Sequence, residues 1–191
     1  MVLADLLDVL VEIDAATMDR IVALRSPLAT KLLTSVTGLG SATAALVFVG
    51  GCYLAGWEEE GRHALIALAL CGVVVGTLMA TIQRPYPPQP VCLTDGADTI
   101  ATSFPSGHAA AVTVYAMTAR RSDVLPAGVV AALAGAIAFS RVYLGTHYLT
   151  DTVVGVGIGL VAFLLAERLL NRQAVRALEG RVHDAVSGLV R

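Results

Sequence analysis

Apolar positions in residues 3–13 recur at helical spacing: Leu3, Leu6, Leu7, Leu10 and Ile13 share one side, and Asp5, Asp8 and Glu12 take the other. The pattern predicts an amphipathic helix rather than a membrane span. Ser26-Pro27 then joins a capping residue to a proline at the first helical position, and Leu28, Leu32, Leu33 and Val36 continue along one face to Gly38. A second short helix is expected there. Either helix can lie flat on a membrane surface, although acids rather than Lys or Arg fill the first one's polar face.

From residue 38 the periodic pattern gives way to unbroken apolar blocks. Residues 38–57 and 64–83 are each uncharged for 20 residues, about the length that crosses hydrocarbon. The blocks at 106–119, 125–140 and 152–166 have 14, 16 and 15 residues, between a span and a buried helix. Five consecutive apolar helices with Ala- and Gly-rich faces suit no water-soluble fold, whereas small residues such as Gly155, Gly157 and Gly159 allow helices to approach closely in lipid. The fold class expected is therefore all-α: an integral membrane bundle of about five transmembrane helices behind N-terminal amphipathic helices. The expected division is an amphipathic segment at 1–37, a transmembrane domain at 38–170 and a basic tail at 171–191.

Composition agrees, with 56% hydrophobic and 15% charged residues and a mean hydropathy of +0.74, well outside the balance of soluble domains. The net charge of −2 is carried without any basic block, so nucleic acid is not an expected partner. Cys52 and Cys71 lie in apolar blocks and Cys92 stands alone, which gives neither a disulfide framework nor a metal-ligand spacing. The start lacks the basic residues and apolar core of a signal peptide, leaving membrane targeting to the spans. Arg62, Arg120, Arg121, Arg168, Arg172, Arg176, Arg181 and Arg191 fall on one side of the bundle, eight of the thirteen basic residues. That side is expected to be cytoplasmic, with loops 84–105 and 141–151 outside. Nothing in the sequence sets an oligomeric state.

Three clusters converge on the expected outer face: Arg84-Pro85, then Pro105-Ser106-Gly107-His108, then Ser140-Arg141 followed by His147 and Asp151. Ionisable residues beside spans are costly and point to function, although a lone Arg there more often snorkels to headgroups. His147 and Asp151 are four apart. On a helix they share a face, where Asp151 can accept from one imidazole nitrogen and leave the other as nucleophile or base; a capping carboxylate beside an interfacial His is the plainer alternative. Gly145-Thr146 reads as a helix stop and a cap, placing His147 in the first turn of the last span. Arg141, six residues before His147, can aim a guanidinium fork at a phosphate held there. Pro105-Ser106-Gly107 reads as a helix start whose unpaired N–H groups bind anions. Gly107 lets a phosphate approach, Ser106 can donate a hydroxyl hydrogen bond, and His108 can protonate a leaving oxygen.

These clusters resemble the three-part signature of the type 2 phosphatidate phosphatase superfamily, which spans lipid phosphatases, polyprenyl diphosphatases, glucose-6-phosphatase, soluble acid phosphatases and vanadium haloperoxidases. The resemblance covers about residues 77–151. It implies His147 as a nucleophile forming a phosphohistidine, Asp151 orienting it and His108 as general acid. Arg84, Arg141, Ser106 and Gly107 would hold the phosphoryl oxygens. One position departs: where the family has lysine seven residues before the arginine, this chain has Thr77. Two helical turns separate it from Arg84, so the absent ammonium is expected to leave one cation missing from the same phosphate. The implied function is metal-independent hydrolysis of a lipid phosphate or polyprenyl diphosphate at the outer face, without a cofactor. Transfer of the phosphoryl group to an alcohol on the same scaffold is the alternative. The partners implied are the lipid substrate and the bilayer.

Overall fold

The structure is a computed structural model that describes the backbone of residues 2–91 and 102–189 and the side chains of Asp5, 8–91 and 102–172. Every regular element among these residues is helical: α1 (Val2–Ala23), α2 (Pro27–Thr37), a 3-10 turn (Gly38–Gly40), α3 (Ala42–Leu54), α4 (Glu58–Thr81), α5 (Gly107–Arg121), α6 (Ala127–Tyr143) and α7 (Leu149–Leu189). Serines open three of them. Ser26, Ser41 and Ser106 each accept from the backbone N–H three residues on, which satisfies a donor that a helix start leaves orphaned.

The five apolar blocks become α3 to α7. Two of these helices, α4 and the first 24 residues of α7, are long and apolar enough to cross a bilayer by themselves; α2 with its 3-10 turn and α3 form a pair bent by 62° that would make a third crossing. With 15 and 17 residues, α5 and α6 reach only about 22 and 25 Å against roughly 30 Å of hydrocarbon. The protein is an integral membrane protein.

Helix α5 is the centre of the bundle, packed against α4, α6, α7 and the 3-10 turn. Ala109, Ala110, Val112, Val114 and Ala119 on it are all buried. Glycine explains how closely α7 approaches: a Cβ at Gly155 would lie 2.4 Å from the Ser106 carbonyl oxygen, and one at Gly159 would lie 2.4 Å from that of Ala110. Gly157 meets nothing, so of the three small residues two form the contact. At the opposite end Arg121 pairs with Glu167, and Phe163 is buried against the α4 and α5 side chains.

The N-terminal helices differ from expectation in extent and place. Helix α1 runs ten residues past Ile13, to Ala23. It turns Asp14 and Met18 into the protein, 1% and 2% exposed, and leaves Val11 and Ile13 outside. Arg25, between α1 and α2, donates to the carbonyls of Tyr143 and Gln89, tying the segment to the end of α6 and to the stretch after α4.

Candidate active site

The last turn of α6 and the loop behind it are built around one carbonyl. The N–H groups of Thr146 and His147 and the Thr146 hydroxyl all donate to the Arg141 oxygen at 3.1 Å. Gly145 makes the reversal possible with φ of +73°, a region in which a side chain is strained. The stop read from Gly145 is in place, but α7 begins only at Leu149, so His147 precedes the helix instead of standing in its first turn.

That shift changes the partner of His147. Its Nδ1 donates to the Ser103 carbonyl at 2.5 Å, and the expected bond to Asp151 is not made. Asp151, 0% exposed, accepts instead from the Tyr148 N–H at 2.8 Å and from Arg84 Nη1 at 2.5 Å. The physical reason is position. Asp151 lies in the first turn of α7, where its carboxylate caps the free N–H of Tyr148, and His147 lies outside the helical register that would have aligned the two. Burial and then the charge of Arg141 push the His147 imidazole down to about 3, with the Ser103 carbonyl opposing and His108 adding to the fall. His147 is 6% exposed and neutral at physiological pH. Arg141 and His108 are thereby within electrostatic reach of it.

Arg84 follows α4 on an extended stretch and is gripped from several sides. Nη1 donates to Thr150 Oγ1 at 2.9 Å as well as to Asp151, Nη2 donates to Asp14 at 2.7 Å, and the guanidinium lies 4.0 Å over the Tyr148 ring. Burial lowers its pKa, but the hydrogen bonds and charges of Asp14 and Asp151 outweigh that, so its pKa is raised. Three of the five guanidinium hydrogens are thus committed. Among the described residues none accepts from Nε or from the second Nη2 hydrogen. Arg141 Nη1 donates to Thr37 Oγ1 at 2.8 Å, and the same oxygen accepts from the Ser140 hydroxyl.

At the start of α5, Ser106 Oγ caps Ala109 and the Ser106 N–H donates to the Asp151 carbonyl at 3.1 Å. The next two N–H groups, of Gly107 and His108, precede the first intrahelical bond and stay open to an anion. A Cβ on Gly107 would meet only Val75 at 3.5 Å, an ordinary contact, so packing leaves the space above it open. Gly40 packs directly on the His108 ring, where a Cβ would come within 2.9 Å.

Thr77 is not gathered with these residues. It is exposed on α4 and its hydroxyl donates to the Val73 carbonyl of its own helix. The expectation that two helical turns separate it from Arg84 fails because α4 ends at Thr81 and Ile82 is already extended. Four polar residues that the sequence pattern did not single out belong to the site: Asp14, Thr37, Ser103 and Thr150. For Asp14 a signal existed, an acid at the spacing of Leu7, Leu10, Met18 and Ile21 on the apolar side of α1. Ser103 offers its carbonyl to His147, and its hydroxyl donates to the Pro85 carbonyl at 3.1 Å beside Arg84.

With this geometry in place, residues 60–174 match the PAP2 superfamily. The chain belongs to that superfamily. A decaprenylphosphoryl-5-phosphoribose phosphatase of Mycobacterium tuberculosis is 35% identical over 103 residues, 54% of this chain and 55% of that protein, so the match spans about half of each. Phosphatidylglycerophosphatase B of Bacillus subtilis is 28% identical over 172 residues, 81% of each chain. The crystal structure of a transmembrane PAP2 type phosphatidylglycerolphosphate phosphatase from Bacillus subtilis superposes with a TM-score of 0.70 at 24% identity, over 83% of this chain and 85% of that one. The PAP2 fold of this protein is thus an all-helical membrane bundle.

Proposed function

We propose that this PAP2 protein hydrolyses a lipid phosphate or polyprenyl diphosphate through a phosphohistidine on His147, at the outer face of the membrane. One observation carries the reading. A carbonyl oxygen only accepts, so the His147 Nδ1 facing Ser103 must hold the proton, and the neutral ring keeps its Nε2 lone pair for attack. The names of the relatives support a lipid phosphate as substrate.

In the first step Nε2 forms a bond to phosphorus, the bond from phosphorus to the leaving oxygen breaks, and His108, protonated as the phosphate dianion enters, gives that oxygen its proton. Water then attacks the phosphohistidine, His108 takes a proton from it, and free phosphate leaves. Arg141, the open hydrogens of Arg84 and the N–H groups of Gly107 and His108 stabilise the phosphoryl oxygens as charge builds. The Ser106 hydroxyl, which uses only its oxygen in capping α5, has its hydrogen left to donate. The chemistry as written uses no metal.

The test is phosphate release from phosphatidate, phosphatidylglycerol phosphate and a polyprenyl diphosphate in detergent with EDTA. Wild type is expected to turn over at least one of them, and His147→Ala none, while its melting temperature stays near that of wild type. A dependence on added magnesium, or activity in the mutant, would contradict the mechanism.

A further inference from the structure

We propose that Asp14 of α1 is a positioning residue for Arg84, which makes the amphipathic N-terminal helix a working part of the phosphate site. The inference rests on the proposed phosphatase reading and adds to it a residue outside the matched family region, residues 60–174.

Its support is geometric. Asp14 is an ionised-type side chain at 1% exposure on a helix whose neighbouring positions Val11 and Ile13 are 60% and 44% exposed, and a buried carboxylate persists only with full compensation. The compensation comes entirely from the site. Oδ2 accepts from Arg84 Nη2 at 2.7 Å and from Thr150 Oγ1 at 2.5 Å, and Oδ1 accepts from the Thr150 N–H at 3.0 Å. Asp151 holds Nη1 of the same guanidinium. With a carboxylate on each terminal nitrogen and Tyr148 beneath the plane, Arg84 is fixed in rotation. The hydrogens left over, on Nε and the remaining one on Nη2, are then held in fixed directions. A guanidinium pre-aimed in this way loses less entropy when it grips a phosphate. Helix α2 repeats the device, since Thr37 at its end accepts from Arg141. The N-terminal segment therefore braces both arginines.

A second reading is possible for the same contacts: Asp14 could merely fasten α1 to the start of α7 through Thr150. Asp14→Asn keeps the Thr150 N–H bond to the amide oxygen but puts an NH2 group where Oδ2 accepts from both Arg84 and the Thr150 hydroxyl, so the Arg84→Met background, in which only the Thr150 part remains, separates the two. Orthovanadate, a phosphoryl mimic, is titrated by calorimetry into wild type, Asp14→Asn, Arg84→Met and the double mutant, with KM and kcat measured beside it. Asp14→Asn is expected to melt close to wild type, to weaken vanadate binding and raise KM by about tenfold, as loss of a charge-assisted hydrogen bond does, and to change kcat less. In the Arg84→Met background the same substitution should have no further effect on binding.

Vanadate affinity and KM within twofold of wild type in Asp14→Asn would overturn the inference, as would an equal loss in both backgrounds. Tighter binding in Asp14→Asn would overturn it too, by showing that Asp14 competes with the phosphate for Arg84. Direct binding keeps the two claims apart. Vanadate binding without turnover sinks only the phosphatase reading, whereas wild type that binds no vanadate sinks both.

Discussion

A neutral imidazole has one donor and one acceptor, and a backbone carbonyl decides between them for His147. The Ser103 oxygen demands the proton on Nδ1, a choice that does not depend on any carboxylate. Nitrogen-15 spectra of histidine-labelled protein are therefore expected to show His147 neutral with Nδ1–H at pH 5, where free imidazole is about 97% protonated. The Asp151→Asn variant should show the same tautomer, with its loss appearing in phosphate affinity through Arg84. A flipped tautomer in that variant would mean that Asp151 orients the ring after all. The same depressed value links pH to stability. The unfolded ring takes up its proton near 6.5 and the folded one only near 3, so the contribution of the neutral ring is complete above 6.5 and is lost as pH falls from there towards 3. The residue types at 84, 108, 141, 147 and 151 could be read from the chain, because chemistry restricts them. Their pairing could not, since it depends on where α7 begins, and a shift of two residues moved Asp151 from His147 to Arg84.

Helices α5 and α7 show why the small residues matter more than the apolar ones around them. Gly155 and Gly159 lie one turn apart and face the Ser106 and Ala110 carbonyls, whereas Gly157 faces open space. Alanine at 155 or 159 must push the helices apart, with an expected cost of about 1–3 kcal/mol, while Gly157→Ala should be neutral or slightly stabilising. Gly155→Ala should also cut turnover, because the atom it displaces belongs to Ser106 at the start of α5 in the site. Thermal unfolding of the three variants in one detergent checks this, and equal melting temperatures would contradict the packing described. Block positions were legible from hydropathy, and the cap at Ser26 from the Ser-Pro pair, whereas Ser106 was read only as a donor to phosphate. The 62° bend before α3 and the burial of α1 were not. Both arise from tertiary contacts, of Gly40 with His108 and of Asp14 with Arg84, that a local pattern does not contain.

For the whole molecule the site groups lie together at one end, where α5 begins and α6 ends, and Arg120 and Arg121 lie at the far end of α5. We propose, on the arginine bias alone, that this far end is cytoplasmic, which would turn the site outward. In a Cys92→Ser background, cysteine at exposed Pro88 is expected to react in intact cells with a membrane-impermeant maleimide, and cysteine at exposed Asp123 only after lysis. The reverse pattern would place the chemistry inside. Residues 92–101, with Cys92, fall outside the described residues.

The central claim is a covalent bond between His147 and phosphorus. Acid-sparing rapid quench after mixing with a phosphorus-32 lipid phosphate, followed by alkaline digestion and mass spectrometry, reads it directly. Label is expected on the peptide containing His147, stable to alkali, lost in acid and absent from His147→Ala. Turnover of the lipid with no label on His147 at any quench time, or label on His108 instead, would contradict the account.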